Sequence, residues 1–147
     1  MEFESCLKKQ EDLKNVFLAC STPESRYQKM IEMGRELPSF NPEAKISTNL
    51  VSGCQSVMHL EVTLVDGKLY FNAESEALIS KGLAALLIQT YSGESPETVV
   101  RCPPSFISEI GLQHALSPAR SNGLSSLYRK MQQEALKYLV ISQGVEG

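Results

Sequence analysis

The clearest pattern along the chain is an alternation. Leu60, Val62 and Leu64 alternate with Glu61 and Thr63, and further on Leu69, Phe71 and Ala73 alternate with Tyr70 and Asn72. A period of two puts one set of side chains on one face of a strand. Between the runs lies Asp66-Gly67, a favoured two-residue hairpin turn. Such a turn pairs Val65 with Lys68. It then sets Leu64 opposite Leu69, Val62 opposite Phe71 and Leu60 opposite Ala73, so all six fall on one face. A sheet with one apolar face must be covered. The predicted cover is a helix over Glu76–Tyr91, with Ser75 as its cap and Glu76 suiting its N-terminal dipole. Leu78, Ile79, Leu83, Leu86, Leu87 and Ile88 make that helix apolar almost all round, which marks a central element. Gly82 inside it predicts a close approach by a neighbour.

The rest reads mostly as helices. A first helix is predicted over about Glu4–Ala19, with Leu13, Val16, Phe17 and Cys20 on its buried face. Thr22-Pro23 starts a second, with Thr22 as N-cap, Pro23 in the first turn and Tyr27, Met30, Ile31 and Gly34 as its apolar face. Leu37-Pro38 ends it. The chain is then loop-like to Thr48, and a short strand is expected at roughly Ile46–Ser52. Ser95-Pro96-Glu97 and Pro103-Pro104-Ser105 start two short helices. A turn-rich stretch, Leu116–Gly123, precedes a last helix over about Asn122–Ile141. Its apolar stripe is Leu124, Leu127, Tyr128, Met131, Ala135, Tyr138 and Leu139.

Composition narrows the functional classes. A length of 147 residues predicts one domain over residues 1–147 with a substantial core. The net charge of -3 argues against nucleic acid, which calls for a basic face. No apolar run is long enough to span a bilayer. Met1–Ser5 lacks the basic-then-apolar form of a signal peptide, so a cytoplasmic location is expected. The four cysteines, Cys6, Cys20, Cys54 and Cys102, form no Cys-x-x-Cys pair of the kind zinc and iron–sulfur sites use. Without a secretion signal, free thiols are expected rather than disulfides.

Cys54 differs from the other three. It lies in Asn49-Leu50-Val51-Ser52-Gly53-Cys54-Gln55-Ser56-Val57, where it interrupts an apolar pattern instead of joining one. Gly53 frees the backbone just before it, and Ser52, Gln55 and Ser56 carry donors able to solvate a thiolate. A thiolate is the reactive form of cysteine. A lone cysteine at a strand end is more often a gap-filler, and only the surrounding tetrapeptide shifts the balance.

That tetrapeptide is one of four segments that together resemble the SufE family of sulfur-acceptor proteins. The segments are Arg26-Tyr27 through Ile31-Glu32-Met33-Gly34 to Leu37-Pro38; Val51-x-Gly53-Cys54-Gln55-Ser56; Ser80-Lys81-Gly82-Leu83-Ala84; and Leu116-Ser117-Pro118-x-Arg120-Ser121-Asn122-Gly123-Leu124. Their order and spacing fit over roughly Leu13–Tyr138. Where the family commonly has a tryptophan after the Gly-Cys segment, this chain has His59 and contains no Trp. Cys6, Cys20 and Cys102 match no family motif.

The resemblance implies a partner, a fold and a set of site residues. A cysteine desulfurase of SufS or CsdA type uses its own pyridoxal phosphate to leave a persulfide on its cysteine. Cys54 takes the outer sulfur, the desulfurase is stimulated, and the sulfur passes on to an iron–sulfur scaffold, for example of SufBCD type. This chain would then carry no cofactor and no metal, and would be a sulfur-carrier subunit, not an enzyme. Gly53, Gln55 and Ser56 would shape the loop or bond the sulfur. Arg120 would dock a partner carboxylate or steady the thiolate, against the plainer reading of a solvated turn arginine. Lys81 reads as a helix-surface charge, and His59 and His114 as packing residues. The implied fold is α+β, SufE/IscU-like: a three-stranded antiparallel sheet with helices on one face. The hairpin and helices follow from periodicity as well; the strand order follows from the resemblance alone. The rival functions are an IscU-type cluster scaffold, which needs about three converging thiolates or histidines, and a cysteine hydrolase, which needs an oriented histidine base.

Overall fold

The computed structural model describes residues 2–54, 56–112 and 116–142. Helices α1 (Glu4–Leu18) and α2 (Pro23–Arg35) lead into two 3-10 turns, Pro42–Ala44 and Ser47–Asn49. Strands β1 (Met58–Val65) and β2 (Lys68–Ser75) follow, then α3 (Leu78–Tyr91), α4 (Pro96–Arg101), a 3-10 segment Ser105–Glu109, and α5 (Pro118–Ser142). The architecture is α+β, and α3 is its centre: it packs against α2, β2, α5 and α1. Among the described residues no helix is long and apolar enough to cross a membrane.

The hairpin register is the one the turn dictates. Val65 pairs with Lys68, Leu64 with Leu69, Val62 with Phe71 and Leu60 with Ala73. Burial along it is uneven. Leu60, Leu69, Phe71 and Ala73 are in the core, Val62 is partly buried, and Leu64 is 41% exposed. The expectation that Leu60, Val62, Leu64, Leu69 and Phe71 are buried together fails at the turn end of β1. There the chain after α3 runs along β2, with the Leu69 N–H donating to the Glu94 carbonyl and the Gly93 N–H to the Leu69 carbonyl. It covers β2 and leaves the end of β1 open.

Among the described residues the sheet has two strands, not the expected three. The segment before Cys54 contributes one bridge, Leu50 to His59, and the Val51 N–H donates to the Met58 carbonyl. Residues 47–49 turn instead of extending because their polar groups find other partners. The Asn49 side-chain amide donates to the Ala44 carbonyl, and Lys130 Nζ donates to the Thr48 carbonyl. Backbone groups satisfied in this way are withdrawn from a ladder.

Helix boundaries follow local capping chemistry. Thr22 and Ser25 form a reciprocal capping box, and the Ser95 hydroxyl accepts the Thr98 N–H. The same cap-then-proline signal starts α5 at Pro118, four residues before the expected start, where the Ser117 hydroxyl accepts the Arg120 N–H. The turn formers of 118–123 are therefore the first turns of a helix. In contrast, α3 starts two residues later than expected. Ser75 belongs to the end of β2, and its hydroxyl accepts the Ala77 N–H without capping the helix.

Two glycines let α2 and α3 touch backbone to backbone. A Cβ on Gly34 would lie 2.8 Å from the Gly82 nitrogen, and one on Gly82 would lie 2.7 Å from the Met30 carbonyl oxygen. On α1 the buried stripe is Cys6, Gln10, Leu13 and Phe17. Val16 is exposed, and Cys20 lies beyond the helix end, part-exposed, with its thiol donating to the Val16 carbonyl. The expected burial of Val16 and Cys20 is thus corrected by a stripe that begins earlier, at Cys6. On α5, Leu127, Met131 and Ala135 are buried, and Leu124, Tyr128 and Tyr138 pack partly against the core.

Candidate functional site

The residue before the reactive-cysteine candidate has a left-handed backbone. Gly53 has φ +91°, and a Cβ there would also lie 2.4 Å from the Ser126 hydroxyl on α5. Both facts favour glycine. The loop therefore turns sharply against the second turn of α5 and delivers Cys54 beside Gly123. The Cys54 thiol donates to the Gly123 carbonyl at 3.7 Å, and a Cβ on Gly123 would sit 3.5 Å from the sulfur. Two motifs far apart in sequence are thus in contact through their glycines.

Cys54 lines a pocket of about 420 Å³. The walls are largely apolar: Met58 from β1, Leu83 and Ala84 from α3, Leu124 and Leu127 from α5. The polar groups are few, among them Ser56, Ser80 and Arg120. Burial pushes the Cys54 thiol pKa up from its ordinary value. Its hydrogen bond to a carbonyl acts in the same direction, since a carbonyl accepts from the thiol and offers nothing to a thiolate. At rest the sulfur is a protonated thiol turned toward an apolar pocket.

Arg120 lies in the first turn of α5, half-buried, and lines the same pocket. Its Nη1 donates to the Tyr27 hydroxyl at 3.5 Å, which ties it to α2. The structure therefore brings Gly53, Cys54, Ser56 and Arg120 to one place. Ser52 is exposed on the other side of the loop. Gln55 and His114 lie outside the described residues.

Other polar candidates stand apart from the sulfur. Lys81 pairs with Glu74 at 3.1 Å, and this bond holds the Glu74 carboxyl below its usual range. His59 is partly buried on β1, opposite Glu74 and tilted against the Phe40 ring. Cys6 and Cys102 are sealed in the core around Gln10, whose Nε2 reaches their sulfurs at 3.6 and 3.7 Å. Neither lines the Cys54 pocket. Among the described residues no three His, Cys, Asp or Glu side chains gather to hold a metal ion.

Sequence reasoning missed Gly123 as the partner of the sulfur, Ser126 as the wall behind Gly53, and Tyr27 as the anchor of Arg120. Gly123 and Tyr27 both stand inside motif segments. What was missing was a way to know which segments meet.

Comparison with known proteins gives the family of the chain. The family model for SufE, described as an Fe-S metabolism associated domain, matches residues 11–135. The chain is 33% identical over 119 residues to the sulfur acceptor protein CsdE of Escherichia coli, covering 80% of this chain and 81% of that protein. It is 38% identical over 125 residues to an uncharacterized SufE-like protein of Synechocystis, covering 85% and 79%. Against SufE-like protein 1 of Arabidopsis thaliana, chloroplastic/mitochondrial, identity is 31% over 129 residues, 87% of this chain but 35% of that longer protein. The solution structure of a hypothetical protein from Thermus thermophilus superposes with a TM-score of 0.76 at 27% identity, covering 90% of this chain and 96% of that one. A family match spanning most of the chain, with the Gly53-Cys54 loop and the Arg120–Gly123 turn gathered at one pocket, leads to one conclusion: this chain belongs to the SufE family.

Proposed function

We propose that this protein is a sulfur acceptor for a pyridoxal-phosphate-dependent cysteine desulfurase, with Cys54 as the accepting thiol. It works as one SufE-like domain in the cytoplasm, without a cofactor of its own, and is a carrier and activator rather than an enzyme. It stimulates the desulfurase and passes the sulfur on for iron–sulfur cluster assembly. The observation that carries the reading is the placement of Cys54: half-buried behind a left-handed glycine, at an apolar pocket that also holds Arg120. The family match and the likeness to the sulfur acceptor protein CsdE of Escherichia coli support it.

The step is a thiol exchange. The Cys54 thiol loses its proton, and the thiolate attacks the outer sulfur of the desulfurase persulfide. The donor S–S bond breaks and a new one forms on Cys54. The desulfurase cysteine leaves as a thiolate and takes up a proton, so nothing is oxidised or reduced overall. The raised Cys54 pKa keeps the sulfur protonated, and so quiet, until docking changes its surroundings. An apolar pocket then suits the product: it shields a persulfide from water and stray thiols between partners.

The test is an intact mass after mixing with a desulfurase and cysteine. Wild type gains roughly 32 Da per sulfur atom, removed by a thiol reductant. Cys54→Ser gains none, while Cys6→Ser, Cys20→Ser and Cys102→Ser keep the gain. A Cys54→Ser protein that still acquires reducible sulfur at normal yield overturns the reading.

Arg120 receives the docking role, with Gly53, Gln55 and Ser56 shaping the loop. Arg120→Ala weakens desulfurase binding by about 1–4 kcal/mol, as interface hot spots do, while stimulation at saturation survives. Titrating the desulfurase with each protein checks this. Unchanged binding with slower Cys54 alkylation at neutral pH assigns Arg120 to the thiolate instead.

A further inference from the structure

A second groove, with a lining separate from that of the apolar pocket, adjoins the Cys54 loop. Its volume is about 260 Å³, and Ser52, Ser126, Arg129, Lys130 and Gln133 are among its lining residues. It is continuous with the reactive loop, because Ser52 stands two residues before Cys54 and Ser126 is the wall against which Gly53 packs. Its character differs from that of the first pocket. It carries two cations and no acid. Lys130 is held in place, its Nζ on the Thr48 carbonyl at 2.9 Å. Arg129 is exposed and, among the described residues, has no hydrogen-bond or ion-pair partner. The acid nearest along the helix, Glu134, is engaged by Lys137 at 2.9 Å. This local excess of positive charge sits on a chain whose net charge is -3.

From this juxtaposition we infer that the Arg129–Lys130 groove is a docking subsite for an acidic segment of the desulfurase, seated beside the loop while the persulfide reaches Cys54. The inference rests on the sulfur-acceptor reading and adds the chemistry of the partner's contact. A guanidinium with its five donors open to solvent suits a carboxylate in bidentate geometry. Because the charges are exposed, they act mainly on the rate of encounter and are screened by salt. Anchoring the partner against α5, on the outer side of Ser52, leaves the pocket side of Cys54 free for the incoming sulfur.

The experiment measures association of the full-length chain with the pyridoxal-phosphate-loaded desulfurase of the same organism, at low and high salt. Wild type is compared with Arg129→Glu and with Lys8→Glu. Lys8 is an exposed residue of α1 paired with Asp12, so its reversal makes the same change in net charge away from the groove. Arg129→Glu slows association by about tenfold at low salt, and the gap closes at high salt. Lys8→Glu stays within about twofold of wild type, the size expected when only the long-range field changes. As a control on the thiol itself, a small-molecule persulfide in place of the desulfurase sulfurates Cys54 at the same rate in all three proteins. Equal slowing by both reversals reduces the effect to bulk charge and overturns the subsite, as does an Arg129→Glu protein that associates like wild type. If the small persulfide loads Cys54 but wild type does not associate with the desulfurase, the sulfur-acceptor reading falls and the subsite falls with it.

Discussion

Two thiol environments in this molecule can be set side by side. Cys6 and Cys102 are 0% and 3% exposed, enclosed by α1, α3, α4 and the 3-10 segment after α4. Cys54 is half-buried at the edge of a pocket. Burial raises the thiol pKa in both places, to about 12 for Cys6 and upward for Cys54. What separates them is what surrounds the sulfur. The core pair shares one amide: Gln10 Nε2 faces both sulfurs and donates to the Pro103 carbonyl at 3.1 Å, while Gln10 Oε1 accepts the Phe106 N–H. The Tyr91 and Tyr128 hydroxyls close the cluster by donating to the Cys102 carbonyl. Every buried polar group there has a partner, so nothing is left over for chemistry. Cys54 has one contact with a carbonyl and an open side. A raised pKa alone therefore does not separate a structural thiol from a functional one. Access does.

The comparison can be broken most directly by alkylation. In the folded protein at neutral pH, Cys54 reacts with iodoacetamide at least about 100-fold faster than Cys6 or Cys102, because exposure and thiolate fraction set the rate. Timed quenching followed by peptide mass mapping reads all four thiols at once, and comparable rates for Cys54 and Cys6 would end the distinction. A smaller effect tests the seal around the core pair. Gln10→Ala strips the buried Phe106 N–H of its acceptor, which costs about 1–3 kcal/mol. Urea unfolding measures it, and an unchanged midpoint means water or a neighbour replaces the amide. Per pH unit, the smallest effect is a slope of stability with pH. A thiol whose folded pKa lies above its unfolded value favours the fold while protonated. The Cys6 contribution is therefore complete below about pH 9 and lost as pH rises toward about 12. Across that window wild type loses up to about 1.4 kcal/mol per pH unit more than Cys6→Ala does. Parallel stability curves for the two proteins would show that Cys6 titrates normally.

The site was half legible in the sequence. Gly53-Cys54 stands out because a glycine and small polar residues interrupt an apolar run, and that interruption is visible locally. Ser117, Pro118, Asn122 and Gly123 are all turn formers, and locally they predict a loop around Arg120. The same residues also read as a cap and a proline in a first helical turn, and the helix is what forms. The choice between those readings depends on Leu124, Leu127 and Met131 having a core to pack against, and tertiary packing overrides weak local preference. Ser75 was misjudged for a related reason: a serine near a helix start is a cap only if the strand before it has already ended.

By itself, the sequence determined whatever depends on neighbours along the chain. The hairpin register follows from a turn type and a period of two, pair by pair. The caps at Thr22 and Ser95 follow from residue chemistry at one position. Tertiary structure decided everything that depends on what arrives from elsewhere. It left Leu64 and Val16 exposed although each lies on an apolar pattern, because among the described residues no element covers the end of β1 or that side of α1. It reduced the expected third strand to the Leu50–His59 bridge, because Ala44 and Lys130 satisfy polar groups of Asn49 and Thr48 first. It also set the state of Cys54: the contact with Gly123, 69 residues away, and the apolar wall from α3 turn a cysteine with polar neighbours in sequence into a half-buried thiol with a raised pKa. Periodicity and capping are short-range and survive without a fold. Burial and pKa are sums over all surroundings, and those exist only once the chain has closed on itself.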